Sequence, residues 1–361
     1  MRVPAPYAQR LQDVRAKLAD AQLDGYLVQD RMDQFWLTGF TGEDGAVLVT
    51  PHALVLLTDG RFDEAADREA PFAKKVLRKR GGPDTTVATV RRLRVQRLGF
   101  NATQMNVQRH GELRKLLRKT TKLAPANSVI GPLRQTKSPE EVTAIRRAID
   151  IAQRAMVALL RTIKPGQTEQ AVAARLEYEM QRLGAQGPSF PSIVASGPHA
   201  SLPHHEPTPR KLRRGEALLI DWGARVGWYV SDLTRVIRLG SIPPRIAKAY
   251  RIAREAQRAA IAAIRPGLNT AAVDRAARQV IRKAGLGERF THGVGHGLGL
   301  NVHEAPGLHR KGADVLRPGM VVTVEPGIYL PGVGGVRIED DVLVTQTGYE
   351  VLSTLPHDLG N

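Results

Sequence analysis

The hexapeptide IKPGQT, Ile163–Thr168, returns 101 residues later as IRPGLN, Ile264–Asn269. The same offset relates what surrounds it: Ile151-Ala152-x-x-Ala155-x-x-Ala158 returns as Ile252-Ala253-x-x-Ala256-x-x-Ala259, Val172 as Val273, and Gly184 as Gly285. Small residues at helical spacing, a Pro-Gly pair, a second helical pattern and a glycine stop read as helix, turn, helix in each copy. Chance supplies alanines to helices, but a constant offset through Pro-Gly, Val and Gly marks a duplication. Each copy leads into a loop rich in glycine and histidine and then into strands. The loops are SFPSIVASGPHASLPHHEP (Ser189–Pro207) and FTHGVGHGLGLNVHEAP (Phe290–Pro306). Two halves about a pseudo-twofold axis, helices against a sheet, bring these loops to one cleft.

The second loop narrows the chemistry. Its glycines run G-x-G-x-G-x-G from Gly293 to Gly299, and Leu298 and Leu300 stand where a dinucleotide fingerprint needs glycine. His292 and His296 are four apart, as in a helical zinc motif, but interleaved glycines oppose a helix. What remains is a bent backbone that lets another group approach closely.

Acids complete the pattern. LLIDWG ends an apolar strand on Asp221, and WYVSDLTR places Asp232 on its hairpin partner. MVVTVEPGIY ends a strand on Glu325, and GGVRIEDD places Glu339 on the next. A carboxylate inside an apolar strand is costly unless it is paired or bound to metal. Four such acids and His296 exceed what local basic residues could neutralise. Two divalent cations, roughly 3.5–4 Å apart and sharing carboxylates, would do so. With no cysteine in the chain, oxygen and imidazole ligands point to Mn, Co or Zn.

The segments DWGARVGWYVSDLTR (Asp221–Arg235), GVGHGLGLNVHE (Gly293–Glu304), VEPGIY (Val324–Tyr329) and RIED (Arg337–Asp340) resemble the metal-binding signature of the creatinase-fold ("pita-bread") metallopeptidases. The likeness is to their proline-specific branch of Xaa-Pro dipeptidases and Xaa-Pro aminopeptidases. It spans nearly the whole chain: LTGFTGEDG and LLTDGRF are similar to that branch's N-terminal domain, and PLRQTKSPEEVTAIRRA to its junction. The resemblance implies an α/β (α+β) protein. A small N-terminal α/β domain precedes a pita-bread domain whose αβ repeat surrounds a curved antiparallel sheet. It implies that Asp232 and Glu339 bridge two metal ions, that Asp221 completes one shell, and that His296 and Glu325 complete the other. It gives Glu325 the proton of the attacking water. His303 matches the family's substrate histidine, and His204 the histidine that closes the cleft from the first repeat, leaving His205 without a role. His292, Tyr329 and Arg337 match further cleft, supporting and substrate-contacting positions. A homodimer is implied as well. Proline-containing dipeptides or short peptides are the expected substrates, with a prolidase favoured over an aminopeptidase by the compact chain. A methionine aminopeptidase shares the ligand types but usually lacks such an N-terminal domain. A creatine-hydrolysing relative, or a member that only binds nucleic acid or protein, would not need all five ligands.

Length and composition frame this reading. The 361 residues suit two domains. We expect an α/β domain over 1–127, a linker over 128–137 and the catalytic domain over 138–361. DGYLVQD, GAVLVTP, ALVLLTDG and RLGF read as strands, with helices near 7–22, 61–70, 84–94 and 105–119. Ser138-Pro139-Glu140-Glu141 reads as the capped start of a long helix. The N-terminus lacks an export segment, and no stretch reaches membrane-spanning length, so a cytoplasmic location is expected. The net charge of +18 gathers in Lys74–Arg80, Arg91–Arg97 and Arg109–Lys122, the last placing Arg114, Arg118 and Lys122 on one helical face. Aromatic residues are only 5% of the chain and none interleaves with these runs, so nucleic acid is at most a minor partner.

Overall fold

The computed structural model describes residues 3–78, 83–127 and 129–360. The chain forms two compact units, Met1–Arg134 and Gln135–Asn361.

The first unit is a six-stranded mixed sheet. Its spatial order is Lys74–Arg78, Leu54–Asp59, Ala46–Val49, Gly25–Val28, Arg97–Phe100, Lys122–Pro125. Leu27, Leu48, Leu57 and Leu98 fill its core with Val90 and Leu113 from the flanking helices. The N-terminal helix Ala5–Asp20 buries Leu11, Val14 and Leu18, the stripe read from sequence. The strand Lys74–Arg78 lies within a run that the sequence presented only as basic, and Lys122–Pro125 begins on the last residue of another; the two are the sheet's edges. Charge suits an edge, where it discourages pairing with another chain. Lys122 therefore does not share a helical face with Arg114 and Arg118, because the helix Val107–Leu117 ends before Arg118. Lys79 and Arg80 of the first basic run lie outside the described residues. A further helix, Arg31–Thr38, is capped by the Asp30 side chain and stopped at Gly39.

The second unit carries the duplication. Pro139–Leu160 and Glu169–Arg182 form one helix pair, Pro244–Ala263 and Thr270–Lys283 the other. Ser138 makes the capping box expected of its sequence. At the two Pro-Gly turns, Gly166 (φ 93°) and Gly267 (φ 81°) adopt a left-handed backbone that a side chain would strain. Thr168 and Asn269, equivalent in the repeat, each accept a backbone N–H from the helix they begin. Gly166 N donates to Leu212 O and Gly267 N to Leu316 O, so both turns are clamped alike.

Each helix pair covers its own strands. Ile193–Ser196, Ala217–Trp222 and Leu233–Arg238 run antiparallel in the first half, with Leu359–Gly360 added in parallel. Gly295–Gly297, Val321–Val324 and Asp340–Val344 correspond to them in the second half, flanked by Glu304–Leu308 and Tyr349–Val351. Hairpins occupy equivalent places, Ala224–Val226 with Tyr229–Val230 and Gly327–Leu330 with Gly334–Arg337. Two cores form, the second also taking Ala217 and Val236 from first-half strands. Ile151, Leu176, Ile220 and Trp222 belong to one, and Ala253, Val273, Val324 and Val342 to the other. Between the halves, Glu339 N donates to Thr234 O (3.2 Å). The fully buried Arg235 donates to Thr234 O and Glu339 O and pairs with Asp340. Among the described residues, no helix is long and apolar enough to cross a membrane.

Candidate metal centre

The four acids come from equivalent strand positions. Asp221 lies near the end of Ala217–Trp222 and Glu325 directly after Val321–Val324. Each is followed two residues later by a glycine that leads into a hairpin, Gly223 or Gly327. Asp232 and Glu339 each precede the strand that pairs with the first, Leu233–Arg238 and Asp340–Val344. His296 comes from Gly295–Gly297, which inserts between Glu304–Leu308 and Val321–Val324. A Cβ on Gly295 would stand 1.9 Å from Thr323 O, and one on Gly297 2.3 Å from Ala305 O. The glycine frame is thus what lets this strand enter.

His296 is presented in one tautomer, assigned from its hydrogen bonding. Its Nδ1–H donates to Gly297 O (3.1 Å), leaving the Nε2 lone pair facing Asp232 Oδ2 at 3.6 Å and Glu325 Oε1 at 3.5 Å. Burial, then the neighbouring His303, lowers its pKa to about 4, so the ring is neutral at pH 7. Burial also drives the carboxyls of Asp232 and Glu339 well above the ordinary range. Glu339 adds to the effect at Asp232, and Glu325 at Glu339. Glu325 is pushed up to about 8 by burial, against the pull of Arg337. Arg337 pairs with Asp221 through Nη2, reaches within 4.0 Å of Glu325, and donates from Nε to Thr234 Oγ1 (3.2 Å). Thr234 in turn donates to Glu339 (2.7 Å). Asp221 Oδ1 is buried with no hydrogen-bond partner. One guanidinium among three buried carboxyls and a half-buried fourth, one orphaned carboxylate oxygen and one aimed imidazole nitrogen fit hard or borderline divalent cations.

The same electrostatics predict a pH effect. Glu325 has a pKa near 4.5 unfolded and about 8 folded. A carboxyl raised on folding contributes stability that is complete below the unfolded value and lost as pH rises through the folded one. Chelator-treated protein is therefore expected to lose melting temperature as pH climbs from 4.5 to about 8, and Glu325→Gln to flatten that slope. A single such group contributes at most about 1.4 kcal/mol per pH unit. Melts in EDTA across this range test it; an identical slope in the variant would remove Glu325 as the source.

These groups line a cavity of about 510 Å³ together with His204, His292, His303, Arg337, Phe190 and Val302. His292 Nδ1–H donates to Gly293 O (2.7 Å), so its Nε2 accepts from Tyr329 Oη (2.9 Å), which itself accepts from Arg337 Nη1 (2.8 Å). Both nitrogens of His292 are engaged, and burial, then Arg337, lowers its pKa to about 4. The ring braces Tyr329 and presents no free donor to the cavity. His303 is exposed, its ring 4.4 Å from that of His296. Glu304 folds the loop behind it, accepting from Leu300 N (3.0 Å) and Asn301 N (2.9 Å). His204 is exposed in the same cavity, whereas the adjacent His205 is buried and 2.9 Å from Glu169.

Sequence reasoning missed three supports of this site: Thr234, Glu169 and Asp341. Asp341 accepts from Asp232 N (3.2 Å) behind the cluster. The second aspartate of the Asp340-Asp341 pair was the available signal. Glu169 lies in the first turn of the helix Glu169–Arg182, where an acid is common.

Comparison with known proteins agrees with this architecture. The sequence profile of Metallopeptidase family M24 matches residues 143–346, and that of the Creatinase/Prolidase N-terminal domain residues 10–136. An uncharacterised peptidase of Bacillus subtilis is 35% identical over 352 residues, 97% of this chain and 99% of its own. A solved Xaa-Pro dipeptidase from Bacillus anthracis superposes with a TM-score of 0.95 at 35% identity, covering 98% of this chain and 99% of that one. An X-Pro aminopeptidase from Thermotoga maritima gives 0.88 at 32% identity, covering 94% and 98%.

Proposed function

This chain belongs to metallopeptidase family M24, and from that premise we propose that it is an Xaa-Pro dipeptidase, hydrolysing the bond between an N-terminal residue and proline in short peptides. The observation that carries the proposal is the buried group of Asp221, Asp232, His296, Glu325 and Glu339 opening into a cavity walled by His204, His303 and Arg337. The likeness to the Bacillus anthracis dipeptidase supports the choice of substrate.

In this reading the five residues hold two divalent ions, with Mn, Co and Zn as candidates. Bound there, such ions polarise a carbonyl oxygen and acidify water. Asp232 and Glu339 would be shared ligands, with Asp221, His296 and Glu325 completing the set. Glu325 takes a proton at its carboxylate from the attacking water and passes it to the leaving amine. His303 and His204 donate hydrogen bonds to the scissile carbonyl as it gains charge, or to the proline carboxylate. Arg337 pairs with Asp221 and orients it, and Tyr329, braced by His292, holds Arg337 in place. The cavity of about 510 Å³ suits a dipeptide better than an extended chain. The homodimer and a cytoplasmic location belong to the same proposal, the former read by light scattering.

A second reading, cleavage of longer peptides, is favoured by the likeness to the Thermotoga maritima aminopeptidase. Metal-stripped protein reloaded with Mn, Co or Zn separates the two. Release of proline from Ala-Pro with Ala-Pro-Ala-Ala left intact is the expected result. Preference for the tetrapeptide would make it an aminopeptidase, and failure on both with every metal would end the proline assignment.

A further inference from the structure

Glu169 opens the second helix of the first repeat and is fully buried. Its carboxylate gathers hydrogen bonds from one segment, residues 196–208. Oε1 accepts from Ser196 N (2.8 Å) and Oγ (2.7 Å). Oε2 accepts from Thr208 N (3.1 Å) and Oγ1 (2.7 Å) and from His205 Nε2 (2.9 Å). His199 Nδ1 lies 3.1 Å from both oxygens. Burial alone would raise this carboxyl; the hydrogen bonds from His205, Thr208 and Ser196 outweigh it and hold the group at about 2. Glu169, His199 and His205 also have the spacing of a metal site. Both oxygens are already saturated with donors, however, so a cation would have to displace them.

The two anchor points, Ser196 and Thr208, bracket the segment that walls the cavity with Pro203, His204 and Pro207. His204 is exposed and stands between two pinned neighbours. Pro203 O accepts from Arg337 Nη1 (3.2 Å), and the His205 ring is tied to Glu169. Among the described residues no hydrogen bond or ion pair ties the His204 side chain, so its place over the cleft is set by the backbone on either side.

We propose that Glu169 is a positioning residue for hydrolysis, its carboxylate fixing segment 196–208 so that the His204 imidazole stands over the reacting carbonyl. This rests on the peptidase reading given above. A carboxylate is required because every group facing it donates; the amide of a glutamine would turn an NH2 against donors on one side.

The test compares Glu169→Gln with the parent by hydrogen exchange and by steady-state kinetics of the metal-reloaded enzyme, and repeats the kinetics in a His204→Ala background. Exchange across 197–208 is expected to rise by at least about tenfold while strand 217–222 stays protected. A misplacement of about 1 Å can lower rate by about 10²-fold, so kcat is expected to fall by about 10- to 100-fold with KM altered less than about threefold. With His204 already replaced, Glu169→Gln should lower kcat no further, because both changes remove the same interaction. Unchanged exchange, or losses that multiply in the double variant, would overturn the proposal. Should Glu169→Gln not fold, Ser196→Ala and Thr208→Val each delete one donor and carry the same comparisons in smaller steps; no change in either would be equally fatal. If the parent cuts no Xaa-Pro peptide, the peptidase reading fails on its own, and the exchange comparison still decides whether Glu169 holds the segment.

Discussion

Asp232→Asn is expected to lower hydrolysis by at least about 10³-fold, beyond the 10- to 100-fold typical of residues that only support a metal ligand. The substitution is nearly isosteric, and the backbone N–H of residue 232 keeps its bond to Asp341. What is lost is one charge at the centre of the cluster, 3.6 Å from His296 Nε2. The metal-free fold should not suffer. Burial and the neighbouring Glu339 already push this carboxyl far toward its neutral form, so a neutral amide relieves repulsion there. The combination is the signature: activity and metal stoichiometry fall, while the melting temperature in EDTA holds or rises. Retention of activity within tenfold of the parent would exclude Asp232 from the site.

Arg337→Met should have the largest effect on stability, because it leaves a buried carboxylate without its cation. Breaking such a pair costs roughly 3–5 kcal/mol. At about 2–4 °C per kcal/mol for a unit of this size, the melting temperature of chelated protein should drop by roughly 10 °C. Asp221 would lose the one basic partner it has among the described residues, while its Oδ1 already lacks a partner. Tyr329 Oη and Pro203 O would each lose a donor. Lysine is not a substitute, since one ammonium cannot reach four acceptors arranged around a planar fork. Added divalent metal should narrow the gap between variant and parent by supplying positive charge to the same carboxylates. A drop of less than about 2 °C in EDTA would mean that the Asp221–Arg337 pair contributes little to folding.

How much of this was legible in advance follows from where each signal sits. The duplication could be read because Pro-Gly turns and glycine stops are fixed by backbone conformation, and Gly166 and Gly267 do occupy left-handed positions. The acids could be read because a charge inside an apolar strand has no bland explanation when it occurs four times. The edge strand Lys74–Arg78 was hidden by the very lysines and arginine that suit an edge, and Lys122–Pro125 is only four residues long. The helix Arg31–Thr38 was overlooked despite its aspartate cap and glycine stop, because eight residues give too few turns for a period to show. The Glu169 hub was out of reach for a different reason: its partners lie 27 to 39 positions away and converge only in space. Nor could sequence tell that His292 spends both nitrogens within the protein, or which histidine of the His204-His205 pair turns inward.

The two cores of this unit give the cluster a second meaning. Asp221 and Asp232 belong to one half, His296, Glu325 and Glu339 to the other, and the second core also packs Ala217 and Val236 from the first half. Without counter-ions, the carboxyls of Asp232 and Glu339 are held toward their neutral forms, each opposing ionisation across the seam; with the proposed ions, the same atoms would become a rivet. A loaded chain is therefore expected to melt in a sharper transition than a depleted one.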